Sequence, residues 1–197
     1  MGLAGKILLA FGAYEIGVGV RANLENHAYW KLAREHCDKV DKPLLLIGMR
    51  RAWKVALGMP NGDVTLDLDP AVQSIKGGVL ADERDMPFAD KQFGACLNEH
   101  TLEHLHSAED VQLAVNECFR VADKAIFTGP SPYSVFNNFF LPSHYLRLWF
   151  DPVNNKIMVV ENVYRTGWGF SSGIGQALVA EGNAPIVISS KGKFIVW

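Results

Sequence analysis

Residues 99–106 read Glu-His-x-x-Glu-His-x-His, the densest run of acid and imidazole groups in the chain. His100 and His104, four apart, would share one face of a helix, as zinc ligands can. His100 is also a candidate general base, because an ordinary histidine titrates near neutrality. Both readings need a geometry that the local sequence does not favour. The run crosses a strand end and a helix start, so continuous helical spacing is not assured, and no metal is expected. No substrate proton is evident for His100, and no catalytic residue is assigned. Further acids stand upstream at Asp67, Asp69, Asp82 and Glu83, each at or just past the end of an apolar run.

The elements that must hold these groups follow from apolar periodicity. Residues 43–48, Pro-Leu-Leu-Leu-Ile-Gly, form a short continuous apolar run, which suits a strand buried on both faces of a parallel sheet. A helical stretch over 51–57 is stopped by Gly58, Pro60 and Asn61-Gly62. Residues 64–70 read as a second strand ending in acids, and 71–78 has room for at most two helical turns. Strands over 79–81 and 94–98 follow. Ser107-Ala-Glu-Asp110 has the Ser-x-x-acid form of a helix start. Val111, Val115, Cys118, Phe119 and Ala122 then line one helical face, and 124–128 is a fifth strand. Such alternation predicts an α/β fold with a mostly parallel sheet. Ligands in that class bind beyond the carboxyl ends of the strands, near the point where strand order reverses. Here those ends carry Gly48, Asp67, Asp69, Asp82 and residues 98–100.

The flanks differ. Residues 24–40 read as an amphipathic helix ended before Pro43. Residues 3–20 are mostly apolar, interrupted by Lys6 and Glu15. A helix docked on this domain or on a partner ranks first for them, a membrane anchor second and a cleaved signal last. This divides the chain into an N-terminal helical arm, 1–42, and a domain, 43–197. Residues 133–150 are crowded with aromatics, among them Tyr133, Phe139, Tyr145 and Trp149. They suit a core or a lid over an apolar acceptor pocket, and Pro142 forbids one unbroken helix. Strands are expected over 156–160 and 185–189, a short helix over 176–180 after the glycine-rich 167–175, and a terminal hairpin or bulged strand reaching 194–197.

A length of 197 residues suits one domain, and the net charge of −2 provides no basic excess for nucleic acid, so none is expected as partner. Cys37, Cys96 and Cys118 are odd in number, widely spaced and at apolar positions. They read as small buried hydrophobes in a reducing compartment, hence a cytoplasmic location with membrane association as the option for 1–22.

Asp82-Glu-Arg-Asp-Met-Pro-Phe88, then Asp90 and Phe93, then Leu102-Glu103-His104, resembles the class I S-adenosylmethionine-dependent methyltransferases, in particular the small-molecule type with Leu-Pro-Phe and Leu-Glu-His segments. The similarity runs over about 43–130. It implies a Rossmann-like sheet, mostly parallel, with a C-terminal antiparallel strand or hairpin. It implies S-adenosylmethionine as cofactor. By position, Gly48 matches the first glycine of the nucleotide turn, and Asp67 the acid that accepts from the ribose hydroxyls. Leu68 would sit against adenine, and Asp82, with Glu83 beside it, would accept from the adenine amino group. Asn98 and Glu99 would lie beneath the sulfonium, where a carboxylate favours the cation. The family's acid-x-Gly-x-Gly-x-Gly turn is altered here: Leu46 takes the acid position, Arg50 the second glycine and Ala52 the third. Arg50 would either bind the cofactor's carboxylate bidentately or plug the site. The function implied is methyl transfer to a small or apolar acceptor. The alternative is a non-catalytic methyltransferase-like subunit held in an assembly or at a membrane through its N-terminal residues. Partners are accordingly a small-molecule acceptor or a protein, with membrane or protein contact through 1–22.

Overall fold

The computed structural model describes residues 2–56, 58–130, 134, 143–151, 156–161, 177–181 and 186–189. Its first element is a single helix, α1 (Leu3–Val40), 38 residues long and thus about 57 Å from end to end. The amphipathic helix expected over 24–40 therefore continues without a break through 3–23. Asp41, in the left-handed region at φ 52°, ends it, its N–H returning to the Cys37 carbonyl.

The two halves of α1 have different surroundings. Ala33 and Cys37 are fully buried against Leu44, Leu46, Ala95, Leu97 and Ile126, with Tyr29 and Trp30 packed alongside. The approach is close enough that a Cβ on Gly94 would stand 3.0 Å from the Cys37 Cα. At the helix end, Lys42 donates to the Asp123 carboxylate at 2.7 Å and to the Lys91 carbonyl. The first half is unpacked: Leu8 is 71% and Leu9 68% exposed. The expected docking of 3–20 on this domain is thus not found for its apolar side chains. The Ser134 hydroxyl donates to the Glu15 carboxylate at 2.9 Å.

The sheet begins with β1 (Leu44–Ile47), all four residues buried. Its alternate side chains face two layers. Leu44 and Leu46 pack beneath α1, whereas Leu45 and Ile47 join the core on the other face. That explains the unbroken apolar run, and each such buried side chain stabilises the fold by roughly 1.5–3 kcal/mol. The short helix α2 (Ala52–Ala56) leads to β2 (Val64–Asp67). A 3₁₀ turn (Pro70–Ser74), capped by the Asp69 side chain, occupies the short link to β3 (Gly78–Leu80). Strand β4 (Phe93–Glu99) is buried throughout.

The Leu-Glu-His segment forms a 3₁₀ turn (Leu102–His104) and not the start of the long helix. That helix, α3 (Ala108–Val121), begins where the Ser-x-x-acid pattern places it, with the Ser107 hydroxyl accepting from the Asp110 N–H. It packs Val111, Ala114, Val115 and Cys118 into the second core and leads directly into β5 (Ala122–Thr128).

Beyond it lie β6 (Leu146–Asp151), β7 (Lys156–Glu161), β8 (Ala177–Glu181) and β9 (Ile186–Ser189). The main sheet has six strands in the order β3-β2-β1-β4-β5-β8. The first five run parallel and β8 is antiparallel to β5. The short helix expected over 176–180 is therefore the strand β8. Five residues make little more than one helical turn, and the open edge of β5 satisfies their backbone groups instead. A second sheet, β6-β7-β9, pairs β6 and β7 antiparallel and β7 and β9 parallel. Leu146, Leu148, Ile157 and Val159 tie it to the α3 core. The expected terminal strand over 194–197, the glycine-rich 167–175 and the aromatics at 133 and 135–142 lie outside the described residues.

Candidate functional site

Strand order reverses between β1 and β4, which pair parallel with Ile47 opposite Asn98. Beyond their carboxyl ends opens a cleft of about 680 Å³, within the range of small-ligand sites. Of the expected site residues, Gly48, Asp67, Leu68, Glu83 and Glu99 line it, while Asp82 and Asn98 do not.

The cleft depends on the turn after β1. Gly48 has φ +89°, and a Cβ there would fall 2.8 Å from both the Glu99 carbonyl oxygen and the Thr101 methyl. Only glycine fits this position. The turn aims its next N–H, from Met49, at the Asp67 carboxylate (2.6 Å), while the Asp69 N–H binds the other oxygen at 2.8 Å. Asp67 is thus held in place from two sides. A carboxylate has about four lone-pair sites, so acceptor capacity remains. Leu68, 63% exposed, offers an apolar surface beside it.

Arg50 neither reaches into open space nor plugs the cleft. Its side chain is 1% exposed and folds onto Glu99. Nε donates to Glu99 Oε2 at 3.0 Å and Nη2 to the same oxygen at 2.5 Å, while Nη1 donates to the Pro60 carbonyl. Lys54 takes Glu99 Oε1 at 2.6 Å. Burial by itself would push the Glu99 carboxyl up, but the two cations outweigh it and hold the group below its usual range. One carboxylate between two cations leaves the cluster with a net positive charge. Glu99 is therefore already neutralised, contrary to its expected use as a bare anion beneath a sulfonium.

Asp82 is also engaged. Arg84 donates to both of its oxygens and reaches on to Asp110. Chiefly through this hydrogen-bonded pairing, the Asp82 carboxyl is held low. Asn98, fully buried, donates to Glu83 Oε2 at 2.5 Å. Thr101 Oγ lies 2.9 Å from that same oxygen and 2.7 Å from Asn98 Oδ1. A hydroxyl has one proton, so it cannot donate to both. A protonated Glu83 resolves the triangle: Asn98 donates to Glu83, Glu83 to Thr101, and Thr101 to Asn98. Desolvation favours the same state and pushes the Glu83 carboxyl up to about 7.

His100 ends β4 in the left-handed region at φ 58°, so it and His104 do not share a helical face. Its Nε2 lies 3.2 Å from Asn26 Nδ2, so α1 touches a residue that lines the cleft. Asn26, Lys54 and Thr101 were not anticipated. Lys54 had a faint signal, four residues beyond Arg50 on a short helix. Asn26 had none, because its partner is 74 positions away.

Glu83 makes folding pH-dependent. Between about 4.5 and 7 the folded chain keeps a proton that the unfolded chain has lost. Stability therefore falls as pH rises through that window, by about 3 kcal/mol in all. Glu83→Gln keeps the neutral group's shape and an oxygen that accepts from Asn98. In urea denaturation it is expected to match the parent at pH 5 and exceed it by about 2–3 kcal/mol at pH 8. An equal difference at both pH values would contradict a proton on Glu83.

Residues 63–125 match the family model described as a methyltransferase domain. No curated protein matches the chain. Among solved structures, a SAM-dependent methyltransferase from Archaeoglobus fulgidus is 19% identical, with TM-score 0.42, over 58% of this chain and 61% of its own. The YcgJ protein of Bacillus subtilis is 18% identical, with TM-score 0.41, over 61% of this chain and 60% of its own. A possible histamine N-methyltransferase from Thermotoga maritima is 16% identical, with TM-score 0.33, over 57% and 56%. The chain thus spans about three-fifths of the length of these structures. The matched segment carries β2 to the start of β5, in a sheet whose parallel strands run in the order β3-β2-β1-β4-β5. Through that segment, about a third of its length, the chain is similar to the methyltransferase domain family.

Proposed function

We propose that the chain binds S-adenosylmethionine in the cleft between β1 and β4 and transfers its methyl group to a small acceptor. One observation carries the reading: the carboxylate of Asp67, fixed by the N–H groups of Met49 and Asp69, lines a cleft at the sheet's switch point. A carboxylate with acceptor capacity to spare suits the two hydroxyls of a ribose. Leu68 provides an apolar face for the base. Gly48 keeps the turn low enough for close approach, and Arg50, drawn onto Glu99, leaves the space its side chain would otherwise fill.

When bound, the cofactor supplies an electrophilic methyl group on a sulfonium. The protein's part is alignment and exclusion of water, and transfer to a good nucleophile needs no dedicated base. The net positive charge of Arg50, Lys54 and Glu99 suits a carboxylate of the ligand better than a sulfonium. Arg51, exposed at the same cleft, adds to it. Asp82 and Asn98 act in this reading by holding Arg84 and Glu83 and not by touching the ligand.

Calorimetric titration of the full chain with S-adenosylmethionine and with S-adenosylhomocysteine tests the proposal. Saturable one-to-one binding is expected, weakened about 10–100-fold by Asp67→Ala, the loss of hydrogen bonds to a charged acceptor. Well-folded protein that binds neither compound would sink the enzyme reading and favour a non-catalytic subunit.

We further propose that the first half of α1 contacts a lipid bilayer. Its exposed apolar side chains, Ile7, Leu8, Leu9, Phe11 and Ile16 among them, lie all round the helix and not on one stripe. That distribution suits a fluid apolar phase better than a one-sided groove. An apolar window of 18 residues covers about 27 Å of helix, close to a hydrocarbon core. In flotation with phosphatidylcholine vesicles the full chain is expected to rise with the lipid and a chain lacking residues 2–22 to stay below. Equal behaviour of the two would end this proposal.

A further inference from the structure

At the edge of the ligand cleft, Glu103, His104 and His144 offer one donor atom each, all within 4.8 Å of one another. We propose that this cluster is a binding site for a zinc-like divalent transition cation. His144 lies 40 residues beyond His104, in the approach to β6, so the spacing of 99–106 gave no sign of it. The proposal is independent of methyl transfer.

The carboxylate of Glu103 is 1% exposed, and among the described residues neither oxygen has a hydrogen bond of good geometry. His100 Nδ1 stands 3.4 Å from Oε1, a long and poorly aligned contact. A buried carboxylate without hydrogen bonds is costly, and a coordinated cation removes that cost. His104 is prepared for the same role. Its Nδ1 lies 2.7 Å from the Ser143 carbonyl, which can only accept, so that nitrogen carries the proton and Nε2 has a lone pair to give. The His104 and His144 rings meet edge to face with centroids 4.9 Å apart, and His144 is 9% exposed.

Two imidazoles and one carboxylate select zinc or a similar transition ion over magnesium or calcium. A tetrahedral ion holds such ligands at ~2.0–2.1 Å, hence ~3.4 Å from one another. Closing from 4.8 Å takes about 1.4 Å of side-chain movement at most. Three protein ligands leave one tetrahedral position for water or for a ligand from the adjoining cleft, which His104 also lines.

The test is titration of the metal-free full chain with zinc alone, and with cobalt(II) as a spectroscopic probe, without cofactor. One equivalent is expected to bind, with the intense visible absorption of tetrahedral cobalt. His104→Ala, His144→Ala and Glu103→Gln are each expected to weaken binding by more than about 100-fold, beyond what loss of a supporting hydrogen bond does. His106→Ala, whose ring lies against Tyr145, is expected to bind as the parent does. Glu103→Gln keeps the buried shape, and thermal melting in the absence of metal verifies that each variant is folded. Absence of zinc binding, an octahedral cobalt spectrum, or parental affinity in the folded His144→Ala and Glu103→Gln chains would each overturn the proposal.

Discussion

The ion cluster of Arg50, Glu99 and Lys54 is the constraint on which the cleft depends. It joins the turn after β1 to the end of β4, the two strands between which sheet order reverses. Replacing a turn glycine by arginine places a long cation at the point where a nucleotide ligand needs close backbone approach. The structure accommodates it by burying the guanidinium against Glu99, with the Pro60 carbonyl taking the remaining donor. A buried pair of this kind adds little net stability. Removing one partner, however, leaves an uncompensated charge at a cost of about 3–5 kcal/mol. The arginine is thus held out of the cleft by the penalty of leaving Glu99 unpaired.

The other polar groups around the site follow a similar pattern of mutual commitment. Asp82 holds Arg84, Asn98 and Thr101 hold Glu83, and Met49 and Asp69 hold Asp67. Glu103 differs: among the described residues its buried carboxylate has no hydrogen bond of good geometry, with His100 Nδ1 3.4 Å away. Asn26 contributes a contact of another kind. It lies on α1 beside His100, so the helix reaches a residue that lines the cleft. The packed half of α1 is anchored by Ala33 and Cys37, and its exposed half is continuous with it.

Much of this was legible in the residues. The strands β1 and β4 announced themselves as apolar runs because both their faces are buried, and the acids marked the carboxyl ends of the neighbouring strands. Ser107 identified the start of α3, since its hydroxyl caps a nearby N–H. What could not be read were relations between distant positions. Arg50 and Glu99 are 49 residues apart, and nothing local tells an arginine that plugs a cleft from one that folds away. The pairing of Asn98 with Glu83, which itself lines the cleft, was likewise not legible. Strand β8 was misread because five residues carry too little periodicity to separate helix from strand, and the edge of β5 decides the matter. Similarly, 3–20 and 24–40 read as separate stretches because one is apolar and the other amphipathic, although a single helix runs through both.

The central claim is that Arg50 stays on Glu99 and leaves the cleft to a nucleotide ligand held by Asp67. A crystal structure of the full chain grown with S-adenosylhomocysteine addresses it most directly. Both ribose hydroxyls are expected within hydrogen-bond distance of the Asp67 carboxylate, with the guanidinium of Arg50 still paired to Glu99. A structure in which Arg50 fills the cleft, or in which the ligand binds elsewhere, would contradict it.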